Sequence, residues 1–217
     1  MTSNSVALLS GFFALAIAGT AIGADTPDKA HLQTKAGLYL TPQEAYLMMS
    51  TSAPREVVLI DVRDPVEIAV TGYTKMVDIN VPLKMIDFAR WDEEDQSYGS
   101  TSNPHFAKDM EKRLKALGAD RDTTLIFMCR SGGRAAAAVD IAHDLGYRNS
   151  YNMLEGFEGD KAKSGPNAGA RVVNGWKNSG LPWGWELEPD VMYGLRDRNL
   201  PREPPGASNP DTTTETP

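Results

Sequence analysis

Cysteine is nearly absent from this chain of 217 residues, because Cys129 is the only one. A single cysteine excludes any disulfide bond within the chain. A free thiol that is neither hidden nor used in chemistry is a liability, because it reacts readily once it ionises. The surroundings of Cys129 are therefore the most informative part of the sequence.

Basic charge is also scarce. The chain has 22 Lys and Arg against 29 Asp and Glu, which gives a formal net charge of -7. A nucleic-acid partner would need clustered Lys and Arg to neutralise its phosphates, so the composition argues against one. A small anion is still compatible with this charge, because a local positive site can exist in an acidic protein.

Charged residues are missing altogether from residues 1–24, and the first charge is Asp25. An apolar run over residues 6–18 is followed by small residues, which predicts a signal peptide cleaved near Gly23 or Ala24. The alternative is an uncleaved anchor, although the run is shorter than the roughly 20 residues of a spanning helix. We therefore predict a periplasmic or secreted protein, with a protein anchored in the membrane and facing the periplasm as the alternative.

Long apolar runs do not recur after Asp25, and the composition, 41% apolar and 24% charged, is typical of a globular protein. Short apolar runs predict strands at 57–60, 77–81, 123–128 and 149–154, and helical patterns predict helices at 41–49, 64–70, 106–117 and 135–145. Strands that alternate with helices predict an α/β fold with a parallel sheet covered on both faces. Asp61 and Cys129 each follow a predicted strand, so we expect them at one edge of the sheet.

The loop after the third predicted strand carries the chemistry. Cys129 is followed by a run of candidate substrate-binding residues: Arg130, Ser131, Gly132, Gly133 and Arg134. A helix start directs free N–H groups and positive partial charge at the preceding residue, and two glycines let those N–H groups converge. Together with the two arginines, they favour a thiolate over a thiol and would hold an oxyanion such as thiosulfate.

A thiolate in this loop predicts covalent catalysis in two steps. It attacks the outer sulfur of thiosulfate and releases sulfite, which leaves a persulfide on Cys129; a thiol or cyanide then takes that sulfur. The predicted partners are therefore small sulfur anions and thiol acceptors. The chemistry requires no cofactor, and the three histidines lack metal-ligand spacing with Cys129, so we expect no metal.

An ordered set of segments gives the chain a family resemblance. The segments are LIDVRDPVE (59–67), Gly72-Tyr73, Asn80-Val81-Pro82, CRSGGRA (129–135), YNMLEG (151–156) and GWKNSGLPW (175–183). Over residues 40–185 the chain resembles a rhodanese-like (thiosulfate sulfurtransferase) domain of the single-domain, exported type. The resemblance implies a five-stranded parallel sheet flanked by helices, a catalytic cysteine at Cys129, and an Asp-x-Arg element at Asp61 and Arg63. We expect Asp61 and Arg63 to brace the loop rather than to react.

The boundaries follow from this resemblance and from composition. Residues 25–39 are a polar lead-in, residues 40–185 the domain, and residues 186–217 a C-terminal extension. Residues 83–105 are predicted to form an irregular insertion loop over one face. From about residue 201 the chain is rich in Pro, Thr and Asn, which predicts disorder because so few apolar residues offset the ordering entropy.

Three other functions compete with sulfur transfer. Cysteine phosphatases place five residues between their Cys and Arg, whereas four separate Cys129 from Arg134, and the shorter ring suits a single sulfur atom better. A non-catalytic rhodanese-like binding or sensing module is the second alternative, although many such modules lose the cysteine. A redox relay is the third, and it would need a partner to supply the resolving thiol.

Overall fold

The computed structural model describes residues 23–94 and 96–194. The predicted signal peptide, apart from its last two residues, and the predicted disordered tail from residue 201 lie outside this part of the chain. Within the described ranges, no helix combines the length and the apolar character that crossing a bilayer requires.

Seven strands form two sheets in the described ranges. In chain order they are β1 (Tyr39–Leu40), β2 (Val57–Asp61), β3 (Ile79–Asn80), β4 (Lys84–Asp92), β5 (Ser97–Ser102), β6 (Thr124–Met128) and β7 (Ser150–Met153). Five of them make a parallel sheet in the order β1-β7-β6-β2-β3. The predicted α/β class and five-stranded parallel sheet are confirmed. The β2 and β6 strands lie side by side, so Asp61 pairs in register with Met128, directly before Cys129.

Four α-helices in this part of the chain cover the sheet: α1 (Pro42–Thr51), α2 (Pro65–Thr71), α3 (Phe106–Leu117) and α4 (Gly133–Asp144). The α1 helix begins where the sequence predicts, because Thr41 and Glu44 form a reciprocal capping box. The Asp64 carboxylate caps α2 by accepting a hydrogen bond from the Val66 amide at 2.8 Å. The α4 helix begins two residues earlier than predicted, so the second glycine of the Cys129 loop belongs to its first turn.

Alternate side chains of the central strands pack into two separate hydrophobic cores, one on each face of the sheet. In β6, Leu125 and Phe127 point into a core with α3 and α4, whereas Ile126 and Met128 point into a core with α1 and α2. This period of two is what a parallel sheet with both faces buried requires. Helices on both faces thus fix the carboxyl edge of the sheet, where the Cys129 loop begins.

The prediction of an irregular loop at residues 83–105 is wrong. The β4 and β5 strands form an antiparallel hairpin that pairs Trp91 with Tyr98. The rings of Phe88 and Trp91 each meet the Tyr98 ring edge to face, at 5.3 and 5.7 Å between centroids. Such aromatic cross-strand contacts stabilise a pair of strands without a core beneath it. Because these three rings are more than half exposed, the hairpin lacks the alternation of buried and exposed residues by which a strand is predicted from sequence.

The segment predicted as a polar lead-in is packed onto the domain. It contains a short 3-10 turn at Ala30–Leu32 and ends at Tyr39, the first of the two residues of β1, which pairs with β7 at the sheet edge. The Leu32 side chain is buried, and the Leu32 carbonyl accepts a hydrogen bond from Asn152 Nδ2 at 3.0 Å. The packed part of the chain therefore begins before the predicted start of the domain at residue 40.

The packed part of the chain also continues past residue 185. The Val191 carbonyl accepts hydrogen bonds from the Asn80 amide at 3.0 Å and from Arg113 Nη1 at 2.6 Å, which ties it to β3 and α3. Met192 is 1% exposed and joins the core beneath α1 and α2. The first residues of the predicted extension are thus part of the fold.

We predict that Met192→Ala lowers the free energy of unfolding by about 2–5 kcal/mol, because it leaves a cavity in a packed core. Leu47→Ala is the control: Leu47 is 50% exposed, and its truncation should change stability by no more than about 0.5 kcal/mol. Chemical denaturation measures both. Equal, small effects would show that residues 191–193 contribute nothing to the fold.

Candidate active site

Cys129 lies between the end of β6 and the start of α4. Its side chain is 1% exposed, and its Sγ accepts a hydrogen bond from the Gly132 amide at 3.2 Å. Gly132 is the residue that precedes α4, with a φ of 92° that favours glycine. The sulfur therefore sits at the positive end of a twelve-residue helix, with an amide hydrogen directed at it.

The backbone of the loop is held by a turn that follows β7, which we call the bracing turn (residues 154–159). Its amides donate to the loop carbonyls: Phe157 to Cys129 at 2.7 Å, and Glu158 and Gly159 to Arg130 at 2.9 and 3.2 Å. Because the peptide carbonyls are bonded on this side, the amide of Gly132 is left to face the sulfur.

Gly156 makes this close approach between the turn and the loop possible. Its φ is +61°, and a Cβ placed on it would lie 2.5 Å from the Cys129 carbonyl oxygen. Gly132 is under the same constraint, since its Cβ would lie 2.0 Å from the Leu154 carbonyl oxygen. Both glycines are required because one backbone segment packs directly on the other.

Both arginines of the loop have carboxylate partners. Arg134 donates two hydrogen bonds to Glu67, each of 2.7 Å, and Arg130 Nε donates to Glu158 at 2.7 Å. The sequence predicts that these two arginines bind an incoming anion, but in the structure each is already paired with a carboxylate. Each pair also joins the loop to a neighbouring segment, Arg134 to α2 and Arg130 to the bracing turn.

The Glu67–Arg134 pair is held in its charged form. Burial on its own would raise the pKa of Glu67, but its hydrogen bonds and attraction to Arg134 lower that pKa below the ordinary 4.5. Burial likewise would lower the pKa of Arg134, but Glu67 raises it overall, and a charged Cys129 adds to the increase. Arg134 therefore stays charged at the start of α4.

Asp61 and Arg63 form an ion pair that is completely buried. Arg63 Nη2 donates to Asp61 Oδ2 at 2.6 Å, and its Nη1 donates to Thr71 Oγ1 at 2.8 Å. The Arg63 guanidinium also stacks over the Phe157 ring, 4.2 Å from its centroid. Arg63 thus contacts the bracing turn through Phe157. No hydrogen bond in the described residues joins the ion pair to the Cys129 sulfur.

The structure also identifies site residues that the sequence does not single out. Glu67 and Glu158 neutralise the loop arginines, and Gly156 and Phe157 shape the bracing turn. Glu67 and Gly156 fall within the family-like segments, so a signal was present for them. The pairing of each carboxylate depends on the fold, since Glu67 and Arg134 are far apart in the chain.

We predict that Gly156→Ala destabilises the protein more than Gly165→Ala. Both glycines have positive φ, but a Cβ on Gly165 meets nothing within 4 Å. The control should lose only the backbone strain of about 1–2 kcal/mol, whereas Gly156→Ala should lose a further 1–3 kcal/mol, roughly, from the clash with the loop. Denaturant unfolding compares the two, and equal losses would contradict close packing between turn and loop.

A second prediction concerns acid. Because the folded pKa of Glu67 lies below its ordinary value, the ion pair contributes its full stability above about pH 4.5 and loses it as the pH falls through the lower, folded value. The stability advantage of the natural protein over Glu67→Gln should therefore shrink on acidification. In an Arg134→Met background this dependence should reverse, because burial alone raises the pKa of Glu67 and makes its charged form unfavourable in the folded protein. An advantage over Glu67→Gln that still shrinks on acidification without Arg134 would rule out the pair as its source.

Comparison with known proteins places this geometry in a family. A model of the rhodanese-like domain matches residues 41–163. The crystal structure of Rv0390 from M. tuberculosis is 31% identical, with a TM-score of 0.52, and the likeness covers 67% of this chain and 96% of that one.

Two curated relatives are uncharacterized proteins of Rickettsia. That of Rickettsia prowazekii is 39% identical over 70 residues, and that of Rickettsia conorii is 35% identical over 77. The matched parts make up 32% and 35% of this chain, and the chain spans about half the length of these relatives, 49% and 54%. Since the family model covers more than half of the sequence, the chain belongs to the family of rhodanese-like domains.

Proposed function

We propose that this protein moves a sulfane sulfur from thiosulfate, or a related donor, to a thiol or cyanide through a persulfide on Cys129. The observation that carries the proposal is the hydrogen bond from the Gly132 amide to Cys129 Sγ, at the amino end of α4. An amide and a helix dipole directed at one sulfur favour its anionic form. The rhodanese-like family supplies the class of reaction.

In the first half-reaction, the Cys129 thiolate attacks the outer sulfur of thiosulfate. A bond forms between Sγ and that sulfur, the sulfur–sulfur bond of thiosulfate breaks, and sulfite leaves with the bonding electron pair. The product is a persulfide anion, whose negative charge lies one atom further from the protein. No proton has to be removed by a base if the thiolate is already formed.

In the second half-reaction, the acceptor attacks the terminal sulfur of the persulfide. A thiolate acceptor becomes a persulfide, and cyanide becomes thiocyanate; in each case the Cys129 thiolate leaves and is restored. The backbone of the loop does not have to move between the two halves, because the bracing turn holds its carbonyls throughout.

A non-catalytic binding module is the second candidate, and two observations favour it. Cys129 is only 1% exposed, and both loop arginines are paired with carboxylates. Buried cysteines are usually inert. Sulfur transfer therefore requires that a terminal sulfur reach Sγ through the mouth of the loop, which favours narrow donors such as thiosulfate.

We predict that the natural protein gains the mass of one sulfur atom after treatment with thiosulfate, and loses it on addition of cyanide. Intact-mass spectrometry follows both steps, and Cys129→Ser is the matched control that should show neither. A natural protein that gains no sulfur favours the binding module. Hydrolysis of an aryl phosphate without any gain of sulfur would instead indicate a phosphatase.

A further inference from the structure

A cavity of about 740 Å³ opens beside the Cys129 loop, where Ser131 forms part of its wall. Cavities of 300–1,000 Å³ are the usual size of binding sites for organic ligands. Because Ser131 is two residues from Cys129, a ligand in this cavity would lie next to the reactive loop. We call this cavity the basic pocket, from its cationic residues Lys29, Lys161, Lys163 and Arg171.

Positive charge exceeds negative charge in the basic pocket. Of its two carboxylates, Asp160 pairs with Lys29 at 3.5 Å, and Glu155 accepts a hydrogen bond from the Gly175 amide at 2.9 Å. Lys161 and Lys163 are exposed and have no ion pair among the described residues. The pocket therefore has cations available for a ligand, although the chain as a whole is acidic.

Arg171 provides an independent sign that an anion belongs there. Its guanidinium donates from Nη1 to the Gly159 carbonyl in the bracing turn, but its Nε is buried and has no hydrogen-bond partner in the described structure. A buried N–H without a partner is costly, and an anion bound beside this guanidinium would offset part of that cost by charge attraction. Burial, and next the charge of Arg130, lower the pKa of Arg171, so nearby negative charge is favourable to it.

We propose that the basic pocket binds the anionic part of an organic thiol, so that acceptors carrying a carboxylate or sulfonate are preferred over neutral or cationic ones. This rests on the proposed sulfur transfer, and it adds the class of acceptor. The cations hold the acid group, and the thiol end reaches the persulfide on Cys129 past Ser131. Cyanide is too small to use the pocket, so the preference belongs to organic thiols.

The test isolates the second half-reaction. Protein is loaded with sulfur by thiosulfate, freed of excess donor, and mixed with one of three short thiols: anionic 2-mercaptoethanesulfonate, neutral 2-mercaptoethanol or cationic cysteamine. The rate of sulfur loss is followed by intact mass. The comparison is between the natural protein and the double variant Lys161→Gln/Lys163→Gln, whose two side chains are exposed. Lys108→Gln/Lys115→Gln on α3 removes the same charge away from the pocket.

The pocket variant should transfer sulfur to 2-mercaptoethanesulfonate about threefold to tenfold more slowly, as expected for two exposed charge contacts. Its change for 2-mercaptoethanol should be smaller, and cysteamine should react faster than with the natural protein. The α3 variant should show no such ordering. An equal change for all three thiols, or the same ordering in the α3 variant, would overturn the basic pocket. Failure of any persulfide to form would overturn both proposals.

Discussion

The position of the Cys129 sulfur depends on the hydrogen bonds between the Cys129 loop and the bracing turn. Each bond contributes only about 0.5–1.5 kcal/mol on its own, but they orient the peptide groups that follow Cys129. With those carbonyls bonded to the turn, the Gly132 amide faces Sγ. Gly156 permits the close approach of the bracing turn to the loop. The buried Asp61–Arg63 pair packs against the same turn, because the Arg63 guanidinium lies over the Phe157 ring. A buried ion pair is tolerable only where its remaining hydrogen bonds are satisfied, as they are here.

The charged groups around the Cys129 sulfur come from several neighbouring segments of the chain. The two loop arginines are neutralised by Glu67 and Glu158, so the amide and helix dipole are the uncompensated positive features at Sγ. Lys161 and Lys163, which have no ion pair among the described residues, lie in the basic pocket beside the loop. With this arrangement, a small anion at Sγ and a larger anionic molecule in the basic pocket would contact different cationic groups. The two negative charges would therefore not compete for the same partner.

Sequence patterns predicted the parts of the fold that local chemistry determines. The apolar runs of β2 and β6, the Thr41 capping box and the glycines beside Cys129 each carry their reason within a few residues. The β1 strand is too short, at two residues, to give a pattern, and the β4–β5 hairpin is held by exposed aromatic contacts rather than burial. The carboxylate partners of Arg130 and Arg134 could not be predicted, since they come from distant segments that meet only in the folded chain.

A crystal structure of the protein after thiosulfate treatment would reveal both the Cys129 side chain and the backbone around it. We expect one additional sulfur bonded to Cys129 Sγ, with the hydrogen bonds from Phe157, Glu158 and Gly159 to the loop intact and the outer sulfur within hydrogen-bond distance of loop amides. An unmodified Cys129, or an added sulfur whose presence breaks the loop away from the bracing turn, would contradict both the persulfide and the role of the bracing turn.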